Sequence, residues 1–158
     1  MKKYELTAES IVKFGRILFR IKALVAFGDV EAGELGGFVE KEENLDQSGD
    51  AWVSGDAMVS GNAWVYGDAR VFRMSHYLTV GPLGSRDDFT TFFRTKHLTI
   101  GVKCGCFKGD IDQFFEAVEK THGNNKHARA YKAAIALAKL QIDLDEEDSD
   151  GEETGKER

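Results

Sequence analysis

The apolar positions of this chain follow a six-residue period between Gly49 and Phe72, in the stretch GDAWVSGDAMVSGNAWVYGDARVF. Each phrase opens with Gly-Asp or Gly-Asn and then places an alanine two residues before a valine. Because side chains alternate along a strand, the alanine and the valine face the same side. The opening pair suits a corner, since glycine adopts left-handed backbone without strain. The pattern therefore predicts a three-sided β-helix, with one coil for every three phrases.

The same alternation separates inward from outward residues. Four alanine–valine pairs are expected to fill the interior, from Ala51 and Val53 to Ala69 and Val71. The residue between each pair then points outward, and this predicts a partner-binding surface formed by Trp52, Met58, Trp64 and Arg70. Trp52 and Arg70 lie one coil apart, which predicts a cation–π pair. Either the chain's own C-terminal helices, another subunit or a foreign protein covers these side chains.

The flanking segments carry other patterns. Alternation from Ile17 to Phe27 predicts a strand, and a glycine-rich turn region follows it. Beyond the repeats we expect strands, a hairpin, and two helices, the first opened by a capping box of Asp110 and Gln113. We divide the chain into an N-terminal β segment, a hexapeptide-repeat β-helix, a C-terminal α+β domain and an acidic tail, at residues 1–36, 37–74, 75–142 and 143–158.

Charge changes the picture at one end of the chain. The 158 residues carry a formal net charge of −6, and the last sixteen hold nine acidic residues and two basic ones. We expect this tail to be a disordered, solubilising end, with an acidic decoy of nucleic acid as the alternative. The remaining body is nearly neutral, so direct nucleic-acid binding is not expected. Without a signal-peptide pattern or a long apolar run, we expect a cytoplasmic protein that does not enter a membrane.

Longer motifs carry a family resemblance. They are FGDVEAGELGGFVEKEENL before the repeats, and GPLGSRDDFTTFF, CGCFKGDIDQFF and THGNNKHA after them. On these motifs the chain resembles small hexapeptide-repeat proteins of phages and prophages, and the repeat resembles that of left-handed parallel β-helices. The resemblance implies an α+β fold in which a short left-handed parallel β-helix precedes a small β-hairpin plus two-helix domain. It also implies the cytoplasm of a bacterial host.

Candidate chemistry is sparse. Acyltransferases built on the same repeat place a histidine between neighbouring coils, but the nearest histidine here, His76, follows the last phrase and is better explained as a linker residue. Cys104 and Cys106 invite a metal interpretation together with three nearby histidines, His97, His122 and His127. Both cysteines continue an apolar face, so we expect core thiols and neither a metal site nor a cofactor.

The run GPLGSRDDFTTFFR is the strongest polar motif. A glycine turn with hydroxyl and guanidinium donors is able to hold a phosphate or carboxylate. This predicts a ligand- or anion-binding site formed by Ser85, Arg86, Thr90, Thr91 and Arg94. The alternative is an ordinary loop in which Arg86 pairs with a neighbouring aspartate.

The functional hypothesis is a non-catalytic binding protein that acts through protein–protein contacts and assembles as a homo-oligomer, a dimer or a trimer. The resemblance points to a phage-encoded inhibitor of a bacterial defence component, similar to an anti-CRISPR protein, whose partner is a host protein such as a defence nuclease or its complex. Two alternatives stay open: a sequestering protein for a small nucleotide signal, and an acyltransferase-like hexapeptide enzyme.

Overall fold

The structure is a computed structural model that describes residues 2–144. Within that range ten strands precede two helices, in the order β1 (Tyr4–Lys13), β2 (Arg16–Ala23), β3 (Leu35–Val39), β4 (Trp52–Val53), β5 (Met58–Val59), β6 (Arg70–Val71), β7 (Tyr77–Leu83), β8 (Asp88–Arg94), β9 (Ile100–Cys104), β10 (Phe107–Asp110), α1 (Ile111–His122) and α2 (Lys126–Gln141). The strands form three sheets, ordered β1-β2-β3-β5, β10-β9-β8-β7 and β4-β6.

The expected left-handed parallel β-helix is wrong. The sheet β10-β9-β8-β7 is antiparallel throughout, and β2 pairs antiparallel with both β1 and β3. Among the described residues, parallel pairing is limited to β3 with β5, β4 with β6, and a bridge between Leu45 and Val65. The α+β class stands, with sheets that are mostly antiparallel.

The glycines that open the repeats adopt the left-handed backbone that their position predicts. Gly49, Gly55, Gly61 and Gly67 have φ values of 73°, 62°, 66° and 69°, so each phrase turns sharply at its start. Only two residues in a phrase remain extended, as in β4, β5 and β6. The N-terminal hairpin, in contrast, offers two long strands, and β2 pairs with β3. The repeat segment joins the sheet of the hairpin only through β5, which pairs parallel with β3, whereas β4 and β6 form a separate two-stranded sheet.

The predicted interior of the repeats is confirmed. All eight alanines and valines of the four phrases are at most 2% exposed, and they pack in one core with residues of the N-terminal hairpin. The small alanines and the β-branched valines together fill a narrow space between closely spaced segments. The members are Ala51, Val53, Ala57, Val59, Ala63, Val65, Ala69 and Val71.

Trp52 departs from the expected outward position, because the N-terminal hairpin covers it. Its side chain is 3% exposed and meets Phe27 and Tyr4 edge-on, with ring centroids 5.3 and 6.4 Å away. Trp52 does lie opposite Arg70 in the parallel register. Arg70 turns to Asp29 instead of the indole, and its Nη1 lies 2.8 Å from Asp29 Oδ1. The indole is therefore a core side chain.

A second core lies between the C-terminal sheet and the two helices. Asp110 and Gln113 form the predicted capping box, in which Gln113 N donates to Asp110 Oδ1 at 2.7 Å and Asp110 N donates to Gln113 Oε1 at 2.9 Å. Strand β8 joins the two cores, because Phe93 packs in the first and Phe92 in the second. The β8 strand thus fixes the repeat segment against the C-terminal unit.

The N-terminus is tied to the repeat segment by polar contacts. The Lys3 ammonium donates to Ala51 O at 2.7 Å and lies 4.8 Å from the Phe27 ring centroid. Tyr4 Oη donates to the carbonyl oxygen of Leu45 at 2.6 Å. Burial lowers the pKa of Lys3 to about 8, although the charges of Asp46 and Asp50 act to raise it.

No helix among residues 2–144 has the length and apolar character needed to cross a bilayer. The expected disorder of the acidic tail concerns residues 143–158, of which 145–158 lie outside the described residues.

The two tryptophans provide a first prediction. Replacing Trp52 with alanine leaves a cavity among packed rings and is expected to lower the free energy of unfolding by about 3–5 kcal/mol. Trp64 is 42% exposed, so Trp64→Ala is expected to lower it by less than about 1 kcal/mol. Urea unfolding followed by circular dichroism measures both. Equal losses for the two variants would contradict this placement.

The buried lysine predicts a pH dependence. Because the pKa of Lys3 is about 8 in the folded chain and about 10.4 in the unfolded chain, the unfolded chain binds more protons between these values. The free energy of unfolding is therefore expected to rise from pH 8 towards pH 10, by at most about 3 kcal/mol. Above about pH 10 the raised pKa of buried Tyr4 acts in the opposite direction.

Lys3→Met serves as the control for this pH dependence, since it removes the titrating group and keeps a long side chain. Its free energy of unfolding is expected to change less than that of the natural chain over the same range. A parallel rise in both proteins would assign the effect to another group.

Candidate protein-binding site

Trp64 is the tryptophan that the fold leaves at the surface. Its neighbours Ala63 and Val65 point into the core, so alternation turns the indole outward. The backbone there is firmly held, because Trp64 N donates to Thr91 Oγ1 of β8 at 3.0 Å. The exposed indole therefore stands on a rigid base, as expected for a contact residue.

The ammonium of Lys103, in β9, lies over one face of this ring. It lies 4.0 Å from the Trp64 ring centroid and donates to the carbonyl oxygen of Gly105. Lys103 is 5% exposed, and burial, followed by the charge of Lys108, lowers its pKa. The chain itself thus shows that the Trp64 ring accepts a cation.

A cavity of about 280 Å³ lies on the surface beside Trp64. We call it the Trp64 pocket, and it is lined by Glu42, Glu43, Leu45, Asp46, Gln47 and Trp64. The pocket combines a large aromatic ring with three carboxylates. An apolar or aromatic group with a positive charge is the complementary ligand.

Asn44 holds the acidic wall of the pocket against the segment that contains Trp64. The Asn44 side chain is fully buried, and its Nδ2 donates to Gly61 O at 3.1 Å and to Ala63 O at 2.9 Å. Leu45 forms a parallel bridge with Val65 at the same level. These contacts therefore fix the carboxylates beside the indole.

The three carboxylates differ in how far they are neutralised. Glu42 lies 3.3 Å from the Lys2 ammonium and accepts from Gln47 Nε2 at 2.8 Å. Asp46 accepts from Ser48 at 3.3 Å. Glu43 is exposed, and among residues 2–144 its carboxylate has neither an ion pair nor a hydrogen bond. Glu43 is thus the carboxylate most available to a ligand.

The four predicted partner-binding residues do not share one surface. Trp52 is buried and Arg70 is paired with Asp29, while Met58 is half-buried in β5 opposite Phe38. Trp64 lies at the separate bridge between Leu45 and Val65. The structure therefore brings Trp52 and Arg70 together and leaves Trp64 alone as the strongly exposed aromatic residue of the set.

The predicted anion-binding residues are also dispersed. Ser85 and Arg86 are exposed in the turn between β7 and β8, while Thr90 and Thr91 are buried. Thr90 Oγ1 donates to Cys104 Sγ at 3.1 Å, whereas Thr91 Oγ1 accepts from the backbone N–H of Trp64. Arg94, at the far end of β8, is 2% exposed and its Nε donates to Arg70 O at 3.0 Å. The anion site stays a prediction, without a common cavity for its five residues.

A second cavity of about 260 Å³ lies beside Arg70 and Arg94, two arginines predicted to belong to separate sites. Its lining includes Arg70 and Arg94, with Trp52 and Phe72 as aromatic walls and Asp29 as a counter-charge. The mixture of both charge signs gives this cavity no single complementary ligand. It is a weaker binding candidate than the Trp64 pocket.

The cysteines and His76 occupy structural settings. Cys104 is half-buried, with Sγ 3.9 Å from Tyr131 Oη, but Cys106 is exposed. The expectation of two core thiols is wrong for Cys106, because the chain turns at Gly105, with φ of 57°, and strand alternation ends there. His76 is fully buried and its Nδ1 accepts from Phe72 N at 3.2 Å. Residues 2–144 contain no group of three or more potential metal ligands.

Sequence reasoning missed the acidic wall and Lys103. Leu45 lies three six-residue periods before Ala63, an alignment that places residues 42–47 beside the segment of Trp64. Following that alignment to the carboxylates would have located the pocket. No sequence pattern predicts the burial of Lys103, because this burial depends on how β9 packs against the repeat segment.

In comparisons with known proteins, the chain matches neither a protein-family model nor a curated protein. The resemblance to phage hexapeptide-repeat proteins is therefore wrong, and the fold does not support it either. The phage setting and the anti-defence role depended on that resemblance and are not retained.

The thiols provide a prediction for this region. Exposed Cys106 is expected to react rapidly with a chromogenic disulfide reagent, while Cys104, shielded by Thr90 and Tyr131, is expected to react slowly. Cys106→Ala should abolish the fast phase in a stopped-flow assay. Cys104→Ala is the matched control and should retain it. Loss of the fast phase in the control variant instead would reverse the assignment.

Proposed function

We propose that this chain is a non-catalytic binding protein that acts through protein–protein contacts, and that its Trp64 pocket takes a basic side chain with an apolar neighbour from the partner. The observation that carries the proposal is the exposed Trp64 indole beside three carboxylates in one cavity. We define the partner segment by these two features, a basic side chain and an apolar neighbour.

The ring supports the proposal energetically. Tryptophan is enriched among the few interface residues that contribute most of the binding energy. Here 42% of Trp64 is exposed although its backbone is rigidly held. A ligand that covers the ring removes this apolar surface from water and loses little side-chain freedom on the protein side.

Charge supplies specificity. The lining of the Trp64 pocket has three carboxylates and no basic side chain. The ammonium groups of Lys2 and Lys103 lie at its edge, against Glu42 and the Trp64 ring, so the lining itself is negative. A basic segment is attracted to it, and an acidic segment is repelled. Because these groups are at the surface, salt is expected to weaken binding.

The two alternative functions receive less support from the geometry. The residues expected to trap a nucleotide are spread along β8 and the turn before it, and two of them are buried threonines. The imidazole expected to act as a base in an acyltransferase lies buried at His76. The Trp64 pocket therefore favours recognition of a protein segment.

The test is binding of a fluorescent pentapeptide Gly-Lys-Phe-Lys-Gly, measured by anisotropy against its acidic counterpart Gly-Glu-Phe-Glu-Gly. The natural chain is expected to bind the basic peptide in preference. Trp64→Ala should weaken this binding about tenfold or more, and Glu43→Gln about three- to fivefold.

Matched controls lie on helix α1. Phe115→Ala removes another exposed aromatic side chain, and Glu116→Gln removes another exposed carboxylate. Neither should change the affinity for the basic peptide. Equal binding of the two peptides, or unchanged binding by Trp64→Ala, would refute the proposed function.

A further inference from the structure

The β1–β2 hairpin ends in an exposed apolar tip. Val12, Phe14 and Ile17 are 70%, 72% and 54% exposed, and Val12 lies opposite Ile17 in the strand register. We call residues 12–17 the hairpin tip. Three large apolar side chains so close together at the surface mark a contact site for another molecule.

Phe14 adds backbone strain to this exposure. Its φ of 55° places an aromatic residue in the left-handed region that glycine and asparagine tolerate better. Within residues 2–144 the Phe14 ring makes no aromatic contact that would offset this strain. An exposed ring held in a strained turn is consistent with a role in binding.

The tip carries positive charge. Lys13 and Arg16 flank the turn, and both are exposed. Arg16 Nη1 lies 2.8 Å from Glu40 Oε1, while Lys13 has no ion pair among the described residues. The tip therefore presents an aromatic ring beside a free ammonium, which is the chemistry that complements the Trp64 pocket.

The tip and the pocket are neighbours on one chain. Glu40, which binds Arg16 of the tip, also accepts from Gly61 N at 2.8 Å. Gly61 O in turn accepts from Asn44, the residue that holds the acidic wall. A direct network of polar contacts thus links the base of the tip to the pocket.

We propose that the hairpin tip of one copy docks in the Trp64 pocket of a second copy, and that the exchange is reciprocal. Phe14 enters the pocket against Trp64, and Lys13 lies near Glu43. When a projection and its receptor are neighbours on one surface, a two-fold dimer satisfies both at once and closes the assembly. This inference rests on the proposed function, because it uses the same pocket.

The dimer has a consequence for partner binding. A basic segment of a foreign protein and the tip of a second copy compete for the same carboxylates and the same indole. Self-association therefore lowers the apparent affinity for the partner as the protein concentration rises. The natural chain is expected to bind the basic pentapeptide less tightly at concentrations where it dimerises.

The first test is sedimentation equilibrium of the full chain and two variants. The natural chain is expected to show a reversible monomer–dimer equilibrium, and Trp64→Ala should weaken it about tenfold or more. Phe14→Asn should weaken the dimer similarly while keeping or raising the thermal stability of the monomer, because asparagine tolerates φ of 55°. A purely structural role of Phe14 would instead lower that stability.

The second test is a charge exchange. Lys13→Glu and Glu43→Lys should each weaken the dimer, and the double variant should restore it, because opposite charges again face each other across the interface. Lys120→Glu, at an exposed position of helix α1, is the control and should leave the monomer–dimer equilibrium unchanged. Failure of the double variant to recover dimerisation would overturn the assigned contact.

The outcomes separate this inference from the proposed function. A natural chain that stays monomeric at all concentrations, yet binds the basic pentapeptide through Trp64, overturns the dimer and leaves the proposed function in place. Phe14→Asn keeps the pocket and should bind the pentapeptide at least as tightly as the natural chain. If neither a second copy nor the pentapeptide binds, both proposals are refuted.

Discussion

The burial of Trp52 under the N-terminal hairpin is the contact on which the rest of the structure depends. Phe27 and Tyr4 enclose the indole, and Lys3 is bonded to the carbonyl oxygen of the residue before it, Ala51. This contact fixes the hairpin against the repeat segment. It also decides which tryptophan stays at the surface, since the hairpin covers Trp52 and leaves Trp64 exposed. The pocket and the hairpin tip are both placed by this arrangement.

How much of this was predictable depends on the range of the interactions. The alanine–valine interior and the capping box at Asp110 follow from local rules, strand alternation and helix-end hydrogen bonding, and both were predicted correctly. The cover over Trp52 joins it to Tyr4, which is far away in sequence, and no local pattern encodes this contact. The pairing of β2 with β3 spans only the loop between them, but the six-residue period does not encode it either. The six-residue period and the family resemblance both filled that gap with a parallel β-helix, and the antiparallel pairing of β2 with β1 and β3 contradicts it.

The candidate site shows the same division. Alternation placed the Trp64 indole outside correctly, yet it placed Trp52 there too, because period alone does not distinguish a covered face from a free one. Two carboxylates of the acidic wall belong to a short 3₁₀ helix, Glu42–Asn44, and the third, Asp46, follows it. The position of this wall beside Trp64 depends on the buried Asn44 amide, which donates to the carbonyl oxygen of Ala63. Side-chain bonding of this kind leaves no period in the sequence.

The edge of the sheet β1-β2-β3-β5 limits the ways in which two copies of the chain can associate. Strand β1 is an edge strand, and an uninterrupted edge invites another chain to pair with it through backbone hydrogen bonds. Here the β1–β2 register shifts between Leu6 and Ser10, and Glu9 N is bonded to Thr7 Oγ1 instead of facing outward as a free donor. A bulge of this kind bends the strand and interrupts the row of backbone groups. Sheet extension along β1 is thereby disfavoured, so side-chain contacts at the hairpin tip are the route that this hairpin offers to a second copy.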